Sequence, residues 1–534
     1  MLSSLMLRFR RPMSALFFAA LFFIAGQALS ADNPHWVHSG VIARGFPFET
    51  PFYIYDTNID GPTVLIVGGM HGNEPAGAEA AEHIRHWPIT RGRMVVVPRT
   101  NPPALAADTR NIPGKPSGAG NLNRNFPTTN PARGYVGPTA RSLWEFLVVL
   151  KPDWVLDLHE GTDFHVSNPN SVGSSIIHVN DEHTTPFATR MIATVNADID
   201  DDGKKFVRID RRGPINSGLA RATMIKLGSR GMILETTRKE QPLSLRARQH
   251  RQMVHTFLSD LDMVDVPWHK MLPPRDPDRT SDDEFALRVA IYDDTGTGSS
   301  GRGVEELTRL VGRIPDAFLR YVCAGDIRDG ALEQFDVAIF PGGRGTVQGL
   351  HLDEAGWERL LAFVRNGGGY VGICAGAYLA TCRNETYLKA VRTYHHLPWT
   401  TGRGPVMIEF TETGQKVFGA DDSPITVRYG NGPLFFHEDG DVPDADLPDF
   451  EVLAHFTQGV EKDGERQTLM EGTPAIISAP YGDGRFLLIS PHPESDPDLD
   501  GLLARSLLWA AGKCNDIALE LRPHEPQTQP AIAQ

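Results

Sequence analysis

Thr63-Val64-Leu65-Ile66-Val67-Gly68-Gly69-Met70-His71-Gly72-Asn73-Glu74-Pro75-Ala76-Gly77 is the stretch on which the fold of the first half turns. Its apolar, β-branched opening, 63–67, reads as a buried parallel strand. Pro75 is a residue favoured at the first position of a helix, so 76–87 reads as a helix. The turn between them lies at the carboxyl end of a strand, where open α/β sheets carry their chemistry. His71 and Glu74, three apart on that turn, can both reach one metal ion, offering an imidazole nitrogen and a carboxylate oxygen of the kinds zinc takes. A lone His-x-x-Glu is weak, and its ordinary meaning is a solvated pair. It gains weight only from what the rest of the chain adds.

Working outward, 53–55, 94–97, 154–158, 176–179 and 232–234 read as further strands, and 143–150 and 243–261 as helices. Residues 112–121, rich in Gly and Pro, read as a loop. Strands alternating with helices imply an α/β domain whose sheet is mostly parallel, with helices on both faces. His159 ends one strand, as the opening turn does, so it can converge on the same point. Asp157, two residues earlier on the same strand face, can orient an imidazole from behind. Glu235 ends a later strand after an apolar lead-in, a setting that desolvates a carboxylate and suits it to general-base work. Asn123-Arg124 sets an amide beside a guanidinium, a fork that grips a carboxylate.

The set His71-x-x-Glu74, Asn123-Arg124 and Asp157-Leu158-His159, with Glu235 on a late strand, resembles the zinc carboxypeptidase superfamily. It is most similar to the succinylglutamate desuccinylase and aspartoacylase branch. The run from Asn101-Pro102-Pro103-Ala104 to Arg110, followed by Asn121-Leu122-Asn123-Arg124, matches that branch in order and spacing over about residues 40–265. The resemblance implies a mixed α/β sheet in which His71, Glu74 and His159 hold one zinc ion. It further implies that Glu235 is the general base, that Arg110 polarises the scissile carbonyl, and that Asn123 and Arg124 bind a substrate carboxylate. The small β domain that follows the catalytic part in aspartoacylases is not placed by these motifs.

The chain has 534 residues, too many for one core, with 41% hydrophobic and 22% charged residues as in soluble globular proteins. A net charge of -14 argues against sequence-independent nucleic-acid binding. Arg8, Arg10 and Arg11, the apolar run 14–26 and Ala28-Leu29-Ser30 read as a secretory signal over 1–30. We therefore expect an exported, periplasmic or secreted chain with no stable membrane span after cleavage; an uncleaved anchor is the competing reading. Four cysteines, Cys323, Cys374, Cys382 and Cys514, could form disulfides there. Asp198-Ile199-Asp200-Asp201-Asp202-Gly203 imitates a calcium loop, but its twelfth position is Ile209 where a bidentate Glu is needed, so it reads as an acidic surface turn.

The first domain is expected over 31–268, a Pro-, Asp- and Arg-rich linker over 269–285, a second α/β domain over 286–515 and a tail over 516–534. In the second domain, Gly296-Thr297-Gly298-Ser299-Ser300-Gly301 satisfies a dinucleotide fingerprint, but no strand-end acid follows at the right distance. Gly372-Ile373-Cys374-Ala375-Gly376 has the small neighbours a sharp strand-to-helix nucleophile turn requires, and a helix N-terminus lowers a thiol pKa. His492-Pro493-Glu494 follows a strand, and two residues sharing a strand face would let the Glu orient the His toward a thiol. This half resembles the class I glutamine amidotransferase-like, flavodoxin-like α/β fold, and most of all the domain at the N-terminus of some biotin protein ligases. The resemblance implies a Cys374, His492 and Glu494 triad, with backbone at Gly343 and Ala375 as oxyanion donors. Where glutamine-using members carry Gln after the elbow, this chain has Ala377-Tyr378, which speaks against glutamine hydrolysis.

Together these readings predict a zinc hydrolase acting on a peptide C-terminus or an N-acyl amino acid. Two alternatives stay open: the Cys374 half is the main amidohydrolase, or the chain binds or senses a ligand without turnover.

Overall fold

The computed structural model describes residues 36–130, 134–211, 217–271, 287–298, 302–382, 384–395, 402–436, 447–462, 464–513 and 519–523. The signal segment 1–30, most of the linker, Ser299 to Gly301, Cys514 and most of the tail lie outside the described residues.

The first half forms one eight-stranded sheet. Its strands are β1 (Trp36–Ile42), β2 (Thr50–Asp56), β3 (Thr63–Val67), β4 (Arg93–Val97), β5 (Trp154–Gly161), β6 (Ser175–Val179), β7 (Val207–Arg211) and β8 (Arg230–Thr237). Their spatial order is β1-β2-β4-β3-β5-β8-β6-β7. The centre, β4-β3-β5-β8, is parallel, while β1, β2 and β6 meet neighbours antiparallel. The sheet is therefore mixed, with β6 and β7 at its edge also parallel, and the parallel run in its middle is what brings the ends of β3, β5 and β8 together. One core, with Val64, Ile66, Trp87, Leu156 and Phe257, fills one face. Another, with Leu65, Val67, Val95, Leu147 and Ile233, fills the other, so both faces of the central strands are apolar. The Pro75–Ile84 helix has Pro at its start and buries Ala76, Ala80, Ala81 and Ile84, small residues that let it lie close to the sheet.

The second half forms a nine-stranded sheet. β9 (Leu287–Tyr292), β10 (Ala317–Val322), β11 (Val337–Phe340) and β12 (Gly369–Ile373) pair in parallel, as does the Gly484–Ile489 strand beside β12. Antiparallel strands Pro474–Tyr481, Glu451–Gln458, Arg403–Phe410 and Ile425–Gly430 extend it. The chain is thus two α/β units with mixed sheets, as the sequence predicts. His492 and Glu494 do not share a strand face, however. The strand ends at Ile489, and Pro493–Ser495 is a 3-10 turn that begins at Pro493, a residue unable to donate to a ladder. The described cysteines, Cys323, Cys374 and Cys382, are all buried. Among the described residues no helix is long and apolar enough to cross a membrane.

The Leu243–Asp260 helix lies between the two units. It buries Ser244, Arg246, Arg248, Gln249, His250, Arg251 and Gln252 as well as its apolar positions. Its polar face is met by the second unit. The Ser244 amide donates to Asp293 Oδ2 at 3.2 Å, Arg248 pairs with Asp329 at 2.7 Å, and Arg251 pairs with Asp326 at 3.1 Å. Asp326 also holds Arg320 at 2.9 Å, and these guanidinium groups keep its carboxyl far below the usual range although burial opposes ionisation.

Candidate metal centre and a second Cys-His-Glu centre

The 68–74 turn is fixed by its backbone before any side chain acts. Thr100 Oγ1 donates to the Gly68 carbonyl at 2.7 Å, Asn101 Nδ2 to the Met70 carbonyl at 3.2 Å, and the Gly72 amide to the Thr109 carbonyl at 2.9 Å. So pinned, the turn points His71 and Glu74 at His159 on β5. His71 Nδ1 lies 2.9 Å and His159 Nδ1 2.8 Å from the same oxygen, Glu74 Oε2. All three residues are buried, their donor atoms lie within 4.8 Å of one another, and they are the one such group among the described residues. The Asp198–Gly203 turn forms no such group. There Asp201 accepts from the Gly203 amide and Asp202 pairs with Lys205.

The layer behind the donors sets their orientation. Asn121 Oδ1 lies 3.1 Å from His71 Nε2, so an N–H there donates outward and leaves the Nδ1 lone pair facing inward. Asp157 Oδ1 lies 3.1 Å from His159 Nε2. Asn123 Nδ2 lies 3.1 Å from that same nitrogen, its amide held by the Leu219 N–H on Oδ1 at 3.0 Å. Asp157 therefore stands where the sequence puts it. The part Asn121 plays is missed by sequence reasoning, although the residue belongs to the quoted motif. Asn123 faces His159 as well as neighbouring Arg124, whose Nη1 donates back to the Asn123 carbonyl at 2.8 Å.

The donor set fits a metal ion. His71 Nδ1 is buried and has the Glu74 carboxylate as its near neighbour, and two imidazoles with one carboxylate are a zinc-type set. Burial works against the Glu74 carboxylate, but hydrogen bonds from His159 and His71 hold its pKa well below the usual range. Burial lowers the pKa of His71. Burial opposes charge on His159 too, yet Asp157 and Glu74 together raise its pKa well above the usual value. Arg110 Nη1 is ion-paired with Glu74 Oε1, and burial together with the nearby Arg110 charge lowers the pKa of Arg124.

Glu235 is brought in by register. On the parallel pair β5–β8, His159 and Glu235 are Cα partners, so the carboxylate stands one strand over from a ligand. Burial pushes its pKa up to about 8, with His159 opposing and Glu74 adding to the rise. All eight first-half residues singled out from the sequence thus gather at one end of β3, β5 and β8 or on the loops above it.

In the second half, β12 delivers Cys374 with φ 51 and ψ −98 just before the Ala375–Leu379 helix. A non-glycine residue in that region is strained and is held there by its surroundings. Gly372 and Gly376 permit it: a Cβ on Gly372 would lie 2.4 Å from the Gly376 carbonyl oxygen, and one on Gly376 2.0 Å from that of Phe340. His492 is hydrogen-bonded to Cys374 and its Nδ1 lies 2.7 Å from Glu494 Oε1. Burial alone would lower the pKa of His492, but the Glu494 charge and the Cys374 contact push it up to about 10. Gly342 lies against both, since a Cβ there would sit 2.7 Å from His492 Cε1 and 3.7 Å from Cys374 Cβ. Gly343 and Ala375 follow Gly342 and Cys374 directly in the chain. Cys374 Sγ also donates to the Gly430 carbonyl at 3.3 Å, and Tyr378 Oη to that of Asn431 at 3.2 Å, so one loop covers the thiol. The sequence carries no signal for that cover.

Comparison with known proteins agrees with this division. Residues 60–202 match the succinylglutamate desuccinylase/aspartoacylase catalytic domain, and residues 288–527 the biotin-protein ligase N-terminal domain. An N-alpha-acetyl-L-2,4-diaminobutyric acid deacetylase from Halomonas elongata is 36% identical over 105 residues, 19% of this chain and 29% of the relative. A biotin–protein ligase from Schizosaccharomyces pombe is 26% identical over 229 residues, 39% of this chain and 33% of the relative. The chain thus spans about a third or less of each curated relative it matches. A solved structure of Helicobacter pylori Csd4, described as a D,L-carboxypeptidase in its mDAP-bound form, is 22% identical with a TM-score of 0.33, covering 43% of this chain and 61% of that one. The N-terminal half thus carries a domain of the succinylglutamate desuccinylase/aspartoacylase catalytic type, and the C-terminal half a biotin-protein ligase N-terminal domain.

Proposed function

We propose that the chain is an exported zinc-dependent hydrolase that cleaves an amide bond in a substrate bearing a free carboxylate, either a peptide C-terminus or an N-acyl amino acid. The observation that carries this reading is the pairing of His159 with Glu235 across β5 and β8. It sets a buried carboxylate of raised pKa beside a three-donor site. His71, Glu74 and His159 would hold a zinc ion, which would supply Lewis acidity to the site. Glu235 takes a proton from the attacking water and returns it to the leaving nitrogen, work for which a carboxylate poised near neutrality is suited. Arg110, paired with Glu74 and 47% exposed, is the cation within reach of the oxygen on which negative charge develops. Asn123 and Arg124 grip the substrate carboxylate. The name of the Halomonas relative, a deacetylase of an N-acetyl amino acid, supports the amide class. The basic, apolar and small-residue pattern of 1–30 supports export. A protein that only bound its ligand would need no general base, which weighs against a sensor.

A second reading is favoured by Cys374 at φ 51 beside His492 and Glu494: the C-terminal half is a second centre acting through a thiol. One experiment separates the two. Metal content is measured after purification without chelators, then peptides and N-acyl amino acids are assayed with wild type, Glu235→Gln and Cys374→Ser. The reading expects one zinc per chain and activity lost only in Glu235→Gln. Activity that survives Glu235→Gln but is lost in Cys374→Ser sinks it.

A further inference from the structure

The two centres are joined by a line of contacts through the Leu243–Asp260 helix, carried by buried side chains from Glu74 as far as Thr297 and by exposed backbone at Gly298 and Gly343 beyond it. The line starts at Glu74, whose Oε2 accepts the Glu160 amide at 3.3 Å. The Glu160 side chain is fully enclosed. Its Oε1 accepts the Ala76 amide, at the head of the helix that follows Glu74, at 2.7 Å, and its Oε2 is ion-paired with Arg246. Arg246 lies in the first turn of the bridging helix and donates back to the Pro242 carbonyl at 3.2 Å. His250, one turn further, has its Nε2 3.3 Å from the hydroxyl of Thr236, the residue after Glu235. The helix therefore touches the layer behind both Glu74 and Glu235.

The same first turn enters the second unit. Ser244 Oγ donates to the Asp293 carbonyl and its amide to Asp293 Oδ2, with Ser244 0% and Asp293 2% exposed. Asp293 follows β9 directly and begins a short loop. In that loop Thr297 Oγ1 donates to the Asp294 carbonyl at 2.8 Å, and the Thr297 carbonyl accepts the Arg344 amide at 2.6 Å. Gly298 packs on Gly343, where a Cβ would be 3.3 Å from its Cα. The Gly342–Gly343 turn in its turn walls Cys374 and His492. From Glu74 to Asp293 the joints are backbone or buried polar groups that have no water to fall back on, and beyond Asp293 the shift is passed on by the backbone contacts of Thr297 and Gly298 with the 343–344 turn.

We propose that Glu160, Arg246 and Ser244 are positioning residues that couple the two centres, so that a metal ion at Glu74 steadies the 293–298 loop and the Gly343 turn over Cys374. The coupling rests on His71, Glu74 and His159 holding a metal. With Glu74 engaged, the Glu160 amide and carboxylate, the bridging helix, the 293–298 loop and the Gly342–Gly343 turn beside the thiol are fixed together. A thiol only 7% exposed reacts through local opening, and that opening becomes rarer. By reciprocity, a thiol group that displaces the loop weakens the metal site.

The test uses the full chain, stripped with a chelator, with zinc alone as ligand and iodoacetamide as the thiol probe. Labelling of Cys374 is followed by peptide mass spectrometry, with buried Cys323 and Cys382 as internal controls. Zinc is expected to slow Cys374 labelling at least about fivefold and to change the two controls less than about twofold, the size of a typical coupling. In Ser244→Ala/Asp293→Ala the slowing should fall below about twofold while zinc affinity stays within about threefold, because the link and not the donor set is cut. Arg246→Gln, which cuts the charged joint, is a second variant with the same expected loss of slowing should the double variant not fold. Carbamidomethylated wild type should bind zinc several-fold more weakly. A wild type that binds one zinc with unchanged Cys374 labelling overturns the coupling and leaves the metal reading standing. Undiminished slowing in both variants overturns the assigned path, and a chain that binds no zinc overturns both readings.

Discussion

Gly72, between the two ligands on the opening turn, is the position where a single methyl group has the most to say. A Cβ there would lie 1.8 Å from the Ala104 carbonyl oxygen, 1.9 Å from its carbon and 2.5 Å from the Leu105 nitrogen. These are backbone atoms, so no side chain can swing aside. To reach even the 3.0 Å that real Cβ atoms keep, the 71–74 turn and the 102–109 segment must part by about 1.2 Å. A metal ligand tolerates about 0.2 Å, so the displacement carries His71 out of range. Removing a group behind a metal-bound histidine already costs roughly 10–100-fold in affinity. Gly72→Ala should therefore weaken zinc by more than about a hundredfold, with a stability loss of about 1–3 kcal/mol, the usual size for overpacking. The assay is zinc competition against a chromophoric chelator beside urea unfolding. Gly312→Ala serves as control, since it is helical with open space around its Cβ and should stabilise by about 0.4–1 kcal/mol. A Gly72→Ala protein that binds zinc like wild type refutes the claim that this close approach sets the ligand turn.

Other expectations follow from the same geometry. Glu235→Gln should keep its zinc and lose about 10²- to 10⁴-fold in kcat, the span of general-base contributions, and an equal loss of metal would mean the residue is structural. Asp157→Asn should cost about 10–100-fold in zinc affinity by loosening His159, which a chelator titration reads directly; no change would deny it the orienting role. The His492 pKa lies at about 10 when folded and near 6.5 when unfolded. Its stabilisation by Glu494 is therefore complete below about pH 6.5 and lost as pH rises through about 10. Wild type should lead Glu494→Gln in urea unfolding at pH 6 and lose that lead toward pH 10, whereas a gap constant across the range would count against the pair.

What the sequence discloses and what it hides divide along physical lines. His71 and Glu74 are legible because the strand, turn and proline around them are local signals. Cys374 is legible because only small neighbours allow its turn, and the clashes at Gly372 and Gly376 bear this out. The partnership of His159 with Glu235 is not legible, since parallel register is set by the whole sheet and not by either strand. Pro493 could have warned that Glu494 leaves the strand, since a residue without an N–H ends a ladder. Asn121 is passed over because an amide in a Gly- and Pro-rich loop looks like turn chemistry until its imidazole partner is seen.

The bridging helix shows the largest gap between hydropathy and place. Arg248, Gln249, Arg251 and Gln252 read as a washed outer face, yet none is more than 5% exposed. In an enzyme of one unit such positions drift freely under mutation. Here Arg248 and Arg251 must answer to Asp329 and Asp326 of the other unit, and Gln249 and Gln252 to Gln241 and Asp198 of their own, so tolerance to substitution should be lowest along a stretch where polarity suggests it is highest. A saturation library across 244–252 would map that inversion directly.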